Sequence, residues 1–143
     1  MAAGKVSFEL VAPERVLARS EVDMVVIPGA EGDFGVLPEH APFLSLLRPG
    51  VISIWEADKI TGRVFVAGGF AEVNPMGCIV LAEHAERVED ISLPSAQQAL
   101  KDAQEDLADK KDPSEAEKAR LELAVAVAEA RVAAVGEGAA AGH

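Results

Sequence analysis

The hydrophobic period of this chain changes once, near Val88, and that change limits the folds the chain can adopt. Before it, apolar residues alternate with polar ones, as Val6, Phe8 and Leu10 do, which is typical of a half-buried strand. Turn-forming residues divide this region into short segments at close, regular spacing. Residues 1–88 are therefore predicted to form an all-β sandwich of about ten strands.

Glycine and proline residues mark most of the divisions between these strands. Gly68-Gly69 is expected to be a turn between a strand at 63–67 and another at 70–73, because consecutive glycines are typical of turns. Two separate strands are likewise expected at 78–82 and around 84–88.

After Glu89 the apolar residues recur at the spacing of a helix. The apolar positions of the first helix are Ala96, Leu100, Ala103 and Leu107. Because these positions are separated by steps of four, three and four, they lie on one helical face. Lys110-Lys111 is expected in the last turn, where positive charge interacts favourably with the helix dipole.

A second helix has a clear start signal in the sequence. Asp112 is expected to be its N-cap and Pro113 its first helical residue. The helix is expected to end at Gly136. The short turn between the helices predicts an antiparallel α-helical hairpin over residues 89–136, followed by a disordered tail at residues 137–143.

Composition and charge exclude several classes of function. The chain has 143 residues and a formal net charge of −11, which argues against binding to nucleic acid and against unaided docking on an anionic lipid surface. The single cysteine, Cys78, lies in an apolar run and is expected to be buried and unreactive. No apolar run approaches the length of about 20 residues that a membrane-spanning helix needs, so a soluble, unprocessed protein is expected.

The stretch Gly29–Gly50 is the most densely specified part of the chain. It contains three glycines at a spacing of three residues and three of the eight prolines. These residues restrict or extend the conformations of the backbone and so define turns. We therefore expect a rigid, exposed contact loop that carries Glu31, Asp33, Glu39 and His40.

No pattern in the chain indicates an active site. The glycine spacing is not that of a dinucleotide-binding or phosphate-binding loop, and the histidines lack the spacing of metal ligands. Ser45 and Ser53 have no motif that would make either a nucleophile. Asp33, Glu39 and His40 could form an acid–base cluster, but an exposed polar turn or a protein contact explains them more simply. No catalytic residue, cofactor or metal is expected.

The segment 22–51, VDMVVIPGAEGDFGVLPEHAPFLSLLRPGV, resembles the epsilon subunit of bacterial F-type ATP synthases, the counterpart of the mitochondrial delta subunit. The family pattern is an apolar strand, G-x-x-G-x-x-G, P-x-H-A-P and a P-G turn, and all of these occur here in register. The later segment 68–73, GGFAEV, matches the family's G-G-x-x-E-V. The resemblance extends over nearly the whole chain.

This resemblance implies a non-catalytic rotor subunit of the central stalk. In the family, the β-sandwich joins the gamma subunit to the c ring, so that ion-driven rotation is coupled to ATP synthesis. Carried over by position, a c-ring contact falls on Glu31, Asp33 and His40, and a gamma contact falls on His40 and Ser45. For Asp33 an alternative stays open, in which its side chain binds its own backbone in the turn. The implied location is peripheral, on the cytoplasmic face of the bacterial inner membrane.

The resemblance also implies a limited role for the hairpin. In many family members the hairpin can extend along gamma, contact the beta subunit through basic residues and inhibit ATP hydrolysis. Here residues 113–135 carry three basic and four acidic side chains, a net charge of −1. Some members bind ATP through I/L-D-x-x-R-A, but Pro94 replaces the acid here and Gln97 the arginine. Weak or absent inhibition and no ATP binding are therefore expected.

Two other classes of protein remain open at this stage. One is a generic β-sandwich adaptor with a helical-hairpin arm that binds some other assembly. The other is a small β-sandwich enzyme that uses Asp33, Glu39 and His40, which would require a pocket around these three side chains.

Overall fold

A computed structural model describes the backbone of residues 4–141 and the side chains of residues 4–136. The chain divides into two compact units between Arg87 and Val88, where the hydrophobic period changes. The first unit contains eight strands: β1 (Val6–Ala12), β2 (Arg15–Val22), β3 (Met24–Gly29), β4 (Gly32–Val36), β5 (Phe43–Leu46), β6 (Gly50–Glu56), β7 (Lys59–Asn74) and β8 (Gly77–Arg87). The second contains a 3-10 turn (Val88–Asp90) and the helices α1 (Leu93–Asp109) and α2 (Glu115–Ala141).

The eight strands form one hydrogen-bonded sheet that folds over itself. Its order is β2-β1-β8-β7-β6-β3-β4, and β5 pairs with β7 outside this path. Strands β1 and β8 are parallel, whereas the other pairs are antiparallel. Contacts between β1 and β3, and between β2 and β6, join strands that share no hydrogen bonds, so two layers face each other. This is the predicted β-sandwich.

The core of the sandwich consists of side chains that point inward from each layer. On β1, Val6, Phe8 and Leu10 are almost completely buried while Ser7 between them is exposed, which confirms the predicted alternation. Ile27 and Ile52 contribute buried side chains to the same cluster. Cys78 is also in this cluster, and burial raises the pKa of its thiol to about 12, so little thiolate forms near neutral pH.

The expectation of about ten strands is wrong because β7 and β8 each continue where a division was predicted. Gly68 and Gly69 lie inside β7 with φ values of +75° and +111°. A Cβ at Gly69 would overlap the Leu81 carbonyl oxygen and lie 2.9 Å from the Ala82 Cα atom. The glycine pair therefore provides a close approach between β7 and β8 rather than a turn.

Because β7 is uninterrupted, it takes part in both layers of the sandwich. The first part of β7 pairs with β6, and the part after Gly69 pairs with β5 along the same edge. Strand β8 pairs with β7 across both parts, from Val64 to Asn74.

The apolar stripe predicted for the first helix is confirmed. Ala96 is buried and Leu100, Ala103 and Leu107 are half-buried, while the residues between them are exposed. Helices α1 and α2 contact each other, as the predicted hairpin requires. The hydroxyl of Ser92 caps α1 by accepting a hydrogen bond from the Ser95 amide at 3.4 Å.

Details of the helix ends differ from the predictions. Helix α2 begins at Glu115, and its N-terminal cap is Ser114 rather than Asp112, which has a φ of +47°. The Ser114 hydroxyl accepts from the Glu117 amide at 3.1 Å, and the Glu117 carboxylate accepts from the Ser114 amide at 3.3 Å. This reciprocal capping box satisfies two backbone donors, which explains the later start.

Lys110 and Lys111 follow α1 instead of lying in its last turn, since that helix ends at Asp109. Lys110 contacts Glu117 across the connection, with Nζ 2.9 Å from a carboxylate oxygen. This hydrogen bond and those made with Ser114 lower the pKa of Glu117. The two oxygens of the Glu117 carboxylate therefore hold the connection between the helices, one through Lys110 and the other through Ser114.

The predicted end of α2 at Gly136 is also wrong, because the helix continues to Ala141. Gly136 and Gly138 each cost only about 1 kcal/mol relative to alanine in a helix, and three alanines with high helix propensity follow at 139–141. Residues 142 and 143 of the predicted tail lie outside the described residues.

Gly69→Ala is expected to lower the free energy of unfolding by about 1–3 kcal/mol, because alanine is strained at this φ and its Cβ would displace β8. Denaturant-induced unfolding of the full chain would measure this change. Gly35→Ala is the matched control, since its added Cβ would make only an ordinary 3.5 Å contact with the Met24 sulfur. Equal stability of both variants would contradict the close approach.

Candidate protein-contact site

The tip of the β3–β4 hairpin is a two-residue turn made by Ala30 and Glu31. Gly29 and Gly32 are the last paired residues before it. Gly32 has a φ of +141°, and a Cβ at Gly29 would lie only 2.8 Å from the Gly32 carbonyl oxygen. The two glycines therefore permit a turn tight enough to place Glu31 at its exposed end.

Backbone hydrogen bonds fix this hairpin to the chain that follows it. The Ala30 amide donates to the Leu46 carbonyl on β5 at 2.8 Å. The Arg48 amide donates to the Pro28 carbonyl at 3.0 Å, and Gly29 forms a bridge with Leu47. These bonds attach both the tip of the hairpin and the end of β3 to residues 46–48.

The side chain of Arg48 adds two more bonds to the same hairpin. Its Nη1 donates to the Gly29 carbonyl at 2.6 Å, and its Nη2 donates to the Asp33 carboxylate in an ion pair. The partner of Asp33 is thus the Arg48 guanidinium, not the turn backbone considered from the sequence. Sequence analysis missed Arg48; its place before the Pro49-Gly50 turn was the available signal.

Glu31 differs from Asp33 in its surroundings. Its side chain is exposed at the tip, and among the residues that the structure describes it makes no hydrogen bond or ion pair. It is therefore a negative charge that lies open to solvent on a fixed turn.

Ser45 lies on β5 directly against the hairpin. Its Oγ is 3.0 Å from the position of a Cβ at Gly29, and it donates to the Leu46 carbonyl at 2.9 Å. Glu31, Asp33 and Ser45 are therefore brought together on one hairpin and the strand beside it.

His40 lies on a different turn. Its Nδ1 donates to the Ala41 carbonyl at 2.7 Å, and its amide donates to the Leu37 carbonyl at 3.2 Å. The preceding residue, Glu39, has a φ of +63° and donates its amide to the Pro75 carbonyl at 3.2 Å. The turn with His40 is therefore attached to the β7–β8 connection, and a neutral His40 ring has Nε2 left as an acceptor.

An apolar sheet face extends across β5, β7 and β8, on the opposite side of the sheet from the Ser45 side chain. Leu44 on β5 pairs with Glu72 on β7, which pairs with Ile79 on β8. In the same way, Leu46 pairs with Phe70, which pairs with Leu81. Residues paired in this way point to the same side of a sheet. The exposed apolar face is thus Leu44, Leu46, Ile79 and Leu81 with the half-buried Phe70, and Leu44 is 65% exposed and Leu46 is 69% exposed. One exposed carboxylate, Glu72, lies among them. Exposed apolar surfaces of this kind commonly mark contacts with other proteins.

The acid–base cluster considered from the sequence has no support in this geometry. Asp33 is paired with Arg48, whereas Glu39 and His40 belong to a separate turn. Within residues 4–136, no group of three or more His, Cys, Asp or Glu side chains could hold a metal ion. In the described part of the chain, no helix combines the length and apolarity needed to cross a membrane.

Together these features define a β-sandwich with a fixed acidic hairpin and an exposed apolar face, followed by a helical hairpin. The family described as "ATP synthase, Delta/Epsilon chain, beta-sandwich domain" matches residues 5–88. The ATP synthase epsilon chain of Paramagnetospirillum magneticum is 50% identical over 133 residues, which cover 93% of this chain and 98% of that one. The epsilon chain of Rhodospirillum rubrum is 50% identical over 127 residues, or 89% and 93% of the two chains. This chain belongs to the ATP synthase delta/epsilon chain family.

Solved structures agree with the fold. A chain from the cryo-EM structure of the Euglena gracilis mitochondrial ATP synthase, OSCP/F1/c-ring, matches with a TM-score of 0.78 at 25% identity, covering 92% of this chain and 82% of that one. A chain from the central stalk/c-ring structure of the Tetrahymena thermophila mitochondrial ATP synthase has a TM-score of 0.63 at 13% identity, covering 94% and 99%. The family resemblance and the fold class predicted from the sequence are confirmed.

Proposed function

We propose that this chain is a non-catalytic rotor subunit of the central stalk of an F-type ATP synthase. It joins the gamma subunit to the c ring, so that ion-driven rotation is coupled to ATP synthesis. Membership of the family supports this function, as does the similar Euglena gracilis chain, whose structure contains F1 and a c ring. Through the complex, the chain is held peripherally at the cytoplasmic face of the bacterial inner membrane.

The observation that carries this proposal is the fixed hairpin tip. A joint that transmits torque needs a contact that does not yield, and the tip is held by backbone bonds to β5 and by Arg48. We assign the c-ring contact to Glu31, Asp33 and His40, whose acidic members suit the basic residues expected on the ring loops.

The gamma contact is assigned to His40 and Ser45. Ser45 lies between Leu44 and Leu46 on β5, but its half-buried side chain is on the opposite side of the sheet from theirs, against Gly29. Permanent interfaces have apolar centres with polar groups around them, so the exposed face at Leu44 and Leu46, on the same strand, suits a partner that stays bound during rotation.

Affinity purification of the tagged chain from solubilised membranes of its source organism tests the function. The wild type is expected to recover gamma and the c ring. Glu31→Lys is expected to lose most of the ring and keep gamma, because it places a cation against basic ring loops. Glu14→Lys, a charge reversal in the exposed β1–β2 turn, is the matched control and should behave as the wild type.

Three other outcomes would count against parts of this account. Full ring recovery with Glu31→Lys would remove Glu31 from the ring contact. Loss of the ring with Glu14→Lys as well would make the effect one of overall charge. Recovery of no ATP synthase subunit with the wild type would favour the adaptor alternative.

The helical hairpin is proposed to regulate weakly or not at all. The ATP motif requires a carboxylate and a cation. Pro94, in the first turn of α1, and the exposed Gln97 stand at these two positions and carry neither group. The excess of acidic residues on α2 disfavours contact with an acidic segment of the beta subunit.

Millimolar ATP is expected to leave the thermal unfolding midpoint of the purified chain unchanged, because a ligand that binds only the folded state would raise it. Removal of residues after Val88 is expected to change the ATPase activity of the reconstituted complex by less than about twofold. A raised midpoint would contradict the first expectation, and a several-fold rise in activity the second.

A further inference from the structure

We propose that Arg48 gives the two acidic residues of the hairpin, Glu31 and Asp33, different roles. It makes Asp33 an internal support and leaves Glu31 as the single open carboxylate for a basic partner. This inference rests on the proposed ring contact and refines it, because the family resemblance treats Glu31 and Asp33 alike.

The bonds of Arg48 reach both strands of the hairpin. The amide of Arg48 reaches the Pro28 carbonyl, Nη1 reaches the Gly29 carbonyl, and Nη2 reaches the Asp33 carboxylate. Pro28 and Asp33 are paired residues on β3 and β4. One residue therefore joins both strands of the hairpin immediately before the tip, so that neither strand can shift without breaking a bond to Arg48.

The two carboxylates also differ in the charge beside them. The Asp33 carboxylate accepts a charge-assisted hydrogen bond from Arg48 at one oxygen, and the adjacent guanidinium repels a second cation that approaches it. The guanidinium and this carboxylate offset each other, so the pair presents little net charge. Glu31, two residues away on the exposed tip, has no such partner among the described residues. The attraction of a basic surface is thus concentrated at one carboxylate.

The bonds at residue 48 depend on the chemistry of an arginine side chain. A guanidinium has several donors in a fixed plane and can bind the Gly29 carbonyl and Asp33 together. A lysine ammonium at the same position would keep the positive charge but not this two-point geometry. Arg48 is therefore a positioning residue, which acts on the partner only through the hairpin that it holds.

Isosteric amide variants separate the two acids. Using the full chain bound to gamma, we expect Glu31→Gln to weaken affinity for the isolated c ring by about tenfold and to reduce its salt dependence. Asp33→Asn should weaken it by a smaller factor of about threefold, because the amide oxygen can still accept from Arg48, although the guanidinium is then no longer neutralised. An equal or larger loss with Asp33→Asn would overturn the division of roles.

A measurement without the ring tests Arg48 itself. In the purified chain, Arg48→Gln is expected to speed hydrogen exchange at the Ala30 amide about tenfold, with a smaller effect for Arg48→Lys and none for Glu31→Gln. Unchanged exchange in Arg48→Gln would overturn the positioning role while leaving the ring contact intact. Conversely, a wild-type chain without affinity for the ring would overturn the proposed function and the role of Glu31, whatever the exchange result.

Discussion

The close approach of β7 and β8 at Gly69 is the constraint on which the rest of the sandwich depends. It allows β7 to continue from the edge shared with β6 to the edge shared with β5. The Gly69 carbonyl also accepts from the Leu47 amide at 3.0 Å, which places the end of β5 beside the hairpin. Strand β5 in turn supplies the Leu46 carbonyl that holds Ala30, so the position of Glu31 follows from a backbone conformation far from it in sequence.

This arrangement supports the proposed role, which needs fixed contact surfaces rather than a reacting group. The chain presents two surfaces of fixed geometry, an acidic tip held on several sides and an apolar sheet face beside it. A partner of basic character and one of apolar character could be held at the same time by neighbouring surfaces. The proposed role as a joint between two rotor components makes use of both.

Much of this molecule could be predicted from the sequence, because the relevant signals were local. The alternation of Val6, Phe8 and Leu10 predicted a buried strand face, and the spacing of Ala96 and Leu100 predicted a helical stripe. The loop motif also identified the family.

The errors arose where one local signal had two structural solutions or where distant residues decided the outcome. A glycine pair is compatible with a turn and with a close approach between strands, and only the position of Leu81 distinguishes the two. The pairing of Asp33 with Arg48 joins residues 15 positions apart, and no periodic pattern announces it. The Ser114–Glu117 capping box was visible in the sequence, but the Asp112-Pro113 signal two residues earlier obscured it.

Coupling is the property that tests the account most directly. ATP hydrolysis and ion uptake would be measured together in membrane vesicles whose ATP synthase carries either the wild-type chain or Glu31→Lys. The account predicts that the variant continues to hydrolyse ATP but drives little ion uptake, because the shaft turns without a firm joint to the ring. Ion uptake at the wild-type ratio to hydrolysis in the variant would contradict it.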